Sequence, residues 1–114
     1  METKRMSMTV VPVQLGEGVE TWLAQLGMQK ELQTMIDWVQ QNVPGVQGIR
    51  VELAKYESFY LEGKRHATIW AHCDLPAEEV LNDVTLVGWG IWKAQTFSAR
   101  VCVHFTMMCA FQPL

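Results

Sequence analysis

Three histidines and a cysteine fall where strands would line them up. In Ala99 to Phe111 the odd positions from Val101 onward are all apolar, while the even positions run Arg100, Cys102, His104 and Thr106. Successive side chains of a strand point to opposite faces, so this alternation predicts one face for a core and one for chemistry or a partner. His66 to His72 repeats it, with Ala67, Ile69 and Ala71 on one side and His66, Thr68, Trp70 and His72 on the other. His66, His72, Cys102 and His104 could then share a face, and imidazole and thiolate are good ligands for zinc or copper. His66 and His72, however, are about 20 Å apart along an extended strand, so at most one could join Cys102 and His104. Cys73 and Cys109 face the core by parity. The expectation is no metal and no cofactor.

Acid–base chemistry is a second use of the same residues. Asp74 or Glu52 beside His72 or His104 would fix the imidazole tautomer and raise its basicity. Tyr56 and Tyr60 could donate to an oxyanion, and Cys102 beside His104 could act as a nucleophile, although no motif accompanies it. Most of these groups point away from the helix described below, onto an open sheet face. Such a face excludes water poorly and weakens electrostatic catalysis.

Recognition is the third use. Arg50, Glu52, Tyr56, Tyr60, Thr68, Trp70, Arg100 and Thr106 fall by parity opposite the helix, and Arg, Tyr and Trp are the residues that interfaces concentrate. An exposed aromatic face tends to be covered, which a two-fold homodimer would do. In Trp89-Gly90-Ile91-Trp92, regular strand geometry sends one tryptophan to the core and the other to an interface, where Trp92 is a candidate. A bulge at Gly90 would instead join both into an aromatic clamp.

The elements that must position these residues follow from the apolar periodicity. Met6 to Leu15 reads as a strand, at a sheet edge or only loosely paired because Pro12 lacks an N–H. Val19, Trp22, Leu23 and Leu26 are at helical spacing up to Gly27. Met28, Leu32, Met35, Ile36, Val39 and Val43 form one face of a helix that Pro44-Gly45 stops. Period two then takes over: Ile49, Val51 and Leu53 alternate with Arg50, Glu52 and Ala54. A bend is expected near Ala54 to Ser58 and a turn at Glu62-Gly63-Lys64. Arg65 to Cys73 is a strand, Asp74 to Glu79 a helical turn, and Val84 to Phe97 and Ala99 to Phe111 the last two strands. Leu32, Met35, Ile36 and Val39 should face Val101, Val103 and Phe105.

Together these give one α+β domain over residues 1–114. One long helix, kinked or broken at Gly27, packs on a curved antiparallel sheet of four to five strands in the order β-α-β-β-β-β. That order resembles the cystatin-like layout, which implies a fold and no function.

Composition bounds the rest. The chain has 114 residues, 49% of them apolar, enough for a full core. A net charge of −3 with nine thinly spread Lys and Arg argues against nucleic acid. No apolar run reaches membrane-spanning length. Three cysteines without paired spacing point to reduced thiols and the cytoplasm. The expected protein is a small cytoplasmic, homo-oligomeric (dimeric) binding or accessory protein, with no nucleic-acid or membrane partner, using its polar–aromatic sheet face for a small ligand or a protein. The alternative is a small hydrolase- or isomerase-type enzyme with a histidine base in a pocket between helix and sheet. A closed helix–sheet pocket holding a histidine and a carboxylate would favour the enzyme.

Overall fold

The computed structural model describes residues 11–53, 66–80 and 83–111. Its elements are β1 (Val13–Leu15), α1 (Val19–Leu26), α2 (Gln29–Asn42), β2 (Val46–Leu53), β3 (Ala67–Cys73), α3 (Ala77–Val80), α4 (Asp83–Thr96), α5 (Ala99–Cys102) and β4 (Phe105–Ala110). The four strands make one sheet in the order β1-β2-β3-β4. β1 runs parallel to β2, β2 antiparallel to β3, and β3 parallel to β4. Parallel neighbours cannot be joined by a tight turn and need a crossover. α1 and α2 supply the first crossover, and α3 to α5 the second.

The fold is therefore mixed α+β, with helices between the third and fourth strands. The antiparallel sheet in the order β-α-β-β-β-β, and with it the cystatin-like layout, does not hold. The expected strand over Val84 to Phe97 is the helix α4. Thr85, Trp89 and Trp92 recur at i, i+4 and i+7; Thr85 is fully buried and Trp89 is 7% exposed, whereas Val87 and Ile91 opposite are more than half exposed. Apolar residues on both sides of a helix imitate strand alternation, and the imitation misled the periodicity. The expected strand from Ala99 starts only at Phe105, because Ser98 opens α5 as an N-cap. Its backbone is extended (φ −69°, ψ 161°) and its Oγ accepts from Val101 N at 3.4 Å. The expected bend at 54–58 and turn at 62–64 lie outside the described residues; an irregularity instead falls between Val46 and Gly48.

The first half of the chain follows its sequence signals. Of the expected strand Met6 to Leu15, Val13–Leu15 forms β1 at the sheet edge, and residues 6–10 lie outside the described residues. α1 ends at Gly27, which takes φ 68° while its N–H donates to Leu23 O at 2.8 Å. α2 ends before Pro44, and Gly45 turns the chain with φ +70°. Gly45 also has no room for a side chain, since a Cβ there would sit 2.6 Å from Leu75 Cγ.

The core lies between the helices and one face of the sheet. Leu32, Met35, Ile36 and Val39 are all buried and share a single cluster with Ile49, Val51, Ile69, Val101 and Phe105. Val103, expected among them, is 45% exposed, because it sits in the turn after α5. Ala67 and Ala71 on β3 are fully buried small residues; Ala67 lies beside the large ring of Phe105 in register. Trp22 of α1 meets that ring edge-on at 5.7 Å. Replacing Ile36 by Ala should cost about 2–5 kcal/mol in urea denaturation, the range for a buried large-to-small change. A loss below about 0.5 kcal/mol would show that α2 is not packed this way. Gly45→Ala should also destabilise, through both its φ and the contact with Leu75.

Candidate functional site

β2 and β3 place their even-numbered residues opposite the helices. The register runs Gln14–Arg50–Trp70–Met108 across all four strands, with Glu52–Thr68–Thr106 in the next row. Arg50 Nε and Glu52 Oε2 are 2.7 Å apart, with side chains 49% and 39% exposed. An ion pair so open to solvent contributes only about 0–1 kcal/mol, so stability does not explain its placement. The hydroxyls of Thr68 and Thr106 lie 3.3 Å apart, Trp70 is half-buried, and Met108 is 50% exposed. A depression of about 430 Å³ opens on this face beside β1, lined among others by Glu17, Arg50, Glu52, Thr68 and Trp70. The expected grouping of Arg50, Glu52, Thr68, Trp70 and Thr106 is therefore present; Tyr56 and Tyr60 lie outside the described residues.

His72 stands in the same face between Gly48 and Ala110 in register. Both of its ring nitrogens are buried and lack a hydrogen-bond partner among the described residues, as does Nδ1 of His66. A buried polar atom left unpaired costs about 1–3 kcal/mol, so a group that both donates and accepts would be held well there.

The other candidates are elsewhere. His104 is in the turn before β4, its ring centroid 5.9 Å from that of Trp22 on the helix side, with Nδ1 2.7 Å from Arg100 O. Cys102 belongs to α5, and its thiol donates to Lys93 O at 3.3 Å. Arg100 is exposed on α5 and is not on the sheet face. Cys102, His104 and Arg100 thus do not join His66 and His72, because the helical start at Ser98 breaks the alternation that would have aligned them. Among the described residues no three His, Cys, Asp or Glu side chains converge to hold a metal ion. Trp92 stacks on Trp38 at 5.4 Å, and Trp89 lies 5.6 Å from Trp38 and 5.8 Å from Trp92. The two tryptophans of α4 do share a side, through helical spacing and not through a bulge, and Trp38 of α2 fills the space between them.

Lys93 was not among the sequence candidates. Its Nζ donates to Phe105 O at 2.9 Å and to Cys102 O at 3.4 Å, and lies 5.4 Å from the centre of the Trp89 ring. Burial holds the ammonium below its usual pKa, while Cys102 pulls the other way. No signal in the sequence marked Lys93, because its place in the last turn of a helix emerges only once Asp83–Thr96 is seen to be helical.

Burial also acts on the two core thiols. It raises Cys73 to about 11, with the neighbouring Cys109 adding to the effect. Burial likewise raises Cys109, against a hydrogen bond from Cys73 that lowers it. A thiol that ionises later in the folded chain stabilises the fold below its ordinary pKa, and loses that contribution as pH climbs toward the folded value. The stability difference between wild type and Cys73→Ala should therefore shrink between pH 9 and 11; a difference constant with pH in denaturant titrations would contradict this.

A groove of about 450 Å³ lies between helices and sheet at the β1 edge. It is lined by Val13, Leu15, Leu23, Leu32 and Ile36, with Glu20 as its carboxylate and no histidine. The arrangement that would favour a histidine base is missing from it. No protein-family model, no curated protein and no solved structure matches the chain, so the roles of these residues rest on geometry. His104→Gln should lower stability by about 0.5–1.5 kcal/mol, through loss of the Arg100 carbonyl contact, and leave binding at the sheet face unchanged. Altered binding with an unchanged melt would restore His104 as a site residue.

Proposed function

We propose that this protein is a non-catalytic binding protein whose open sheet face is closed by a second copy of itself. The row Gln14–Arg50–Trp70–Met108, continuous across the sheet on the side away from the helices, carries this reading. Among the described residues the helices all pack on one side of the sheet, and a third layer is the usual solution for the other side. The face is also self-complementary. A two-fold axis through it brings Arg50 of each copy near Glu52 of the other, and sets Trp70 and Met108 of the two copies together as an apolar centre inside a polar rim. The depression beside Trp70 would then be roofed, leaving room for a small polar ligand between the copies.

Cysteines 73, 102 and 109 are free thiols, which supports a reducing compartment such as the cytoplasm. No helix among the described residues is long and apolar enough to cross a membrane.

Sedimentation at micromolar concentration should give a dimer for the wild type. Trp70→Glu should give a folded monomer, since an unpaired carboxylate at a desolvated centre costs several kcal/mol. A monomeric wild type overturns the reading.

A further inference from the structure

We propose that Cys73, Cys109 and Met107 form a three-sulfur site for a soft monovalent cation, copper(I). Cys109 and Met107 share the core face of β4, with Cys109 Sγ 4.0 Å from Met107 Sδ. Three sulfurs bound in one plane around an ion at about 2.3 Å stand about 4.0 Å from each other. The pair on β4 already has that spacing. Cys109 is in register with Ala71 across the parallel β3/β4 ladder, and Cys73 lies two residues further along β3 on the same face. The Cys73 thiol is 2% exposed and near enough to Cys109 for each to affect the other's ionisation.

The chemistry narrows the ion. Thiolate and thioether sulfurs select copper(I) over harder metals. Zinc prefers four ligands, and no His, Asp or Glu completes the set among the described residues. Cys73 and Cys109 are both free thiols, so both can ionise onto an ion that bridges β3 and β4. A bridging ion adds two metal–sulfur bonds to the reach. On binding, each thiol releases its proton to solvent and the ion takes two thiolates and one thioether; no electron is transferred. Cys109 is only half-buried and gives the ion a way in. The third cysteine is separate from the site, since the Cys102 thiol is engaged by Lys93 O.

Anaerobic titration of the reduced protein with copper(I), against bicinchoninate as competitor, should show one equivalent held per chain. Cys102→Ser should keep that equivalent; Cys73→Ala and Cys109→Ala should each lose it, and Met107→Leu should weaken retention at least tenfold. X-ray absorption on copper-loaded wild type decides the matter if a variant fails to fold. Three sulfurs at about 2.3 Å are expected, and a shell of nitrogen or oxygen overturns the site. So does a wild type that retains no copper, or loss of the equivalent through Cys102→Ser alone.

Discussion

A strand paired parallel to its neighbour must be reached by a segment that travels back along the sheet, and this chain does so twice. β1 to β2 is bridged by α1 and α2, and β3 to β4 by α3 to α5. Both crossovers bury their apolar residues in one cluster, with the same sheet face. The other face is left to Arg50, Glu52, Thr68, Trp70 and His72, so the candidate surface is a by-product of where the crossovers pass. Moving either crossover to the opposite side would bury this surface and expose Ile49, Val51 and Ile69.

The two crossovers are locked to each other by rings. Trp38 comes from the first, Trp89 and Trp92 from the second, and Phe97 adds an edge-on contact to Trp92 at 5.4 Å. Such pairs contribute about 0.5–1.5 kcal/mol each beyond the area they bury. Lys93 extends the lock to the last strand by reaching Phe105 O. One helix, α4, thereby fixes where α5 ends and β4 begins. Its outward residues Val87 and Ile91 stay exposed, so the fold uses only one of the two apolar sides that the sequence provides.

Those two sides explain what was legible. α2 shows a single apolar face, and its buried residues could be read from the sequence alone. β2 and β3 alternate cleanly, so the sequence alone puts Arg50, Glu52, Thr68, Trp70 and His72 on one face. α4 carries Val87 and Ile91 on one side and Thr85, Trp89 and Trp92 on the other, and this double face erased the helical signal. The alternation runs on through Val101 and Val103, so nothing in the pattern marked Ser98 as a helix cap. The parallel pairing of β3 with β4 was not legible, because it follows from α4 being a crossover and not a hairpin strand. His104, Cys102 and Arg100 were misplaced because the helix that Ser98 opens replaces the start of the expected strand.

β3 shows how much one correctly read strand can organise. His72 and Cys73 are neighbours in sequence, and the pleat sends them to opposite sides of the sheet. The imidazole goes to the face that the helices leave open, beside Gly48 and Ala110, where no described side chain satisfies it. The thiol goes to the core side, toward Cys109, where burial suppresses its ionisation. The open face presents the Arg50–Glu52 pair and the Trp70 ring, while an occupant of the core side must be soft enough to displace two protons from sulfur. The two sites therefore select different chemistries although one peptide bond joins them, and a one-residue slip in the register of β3 would abolish both.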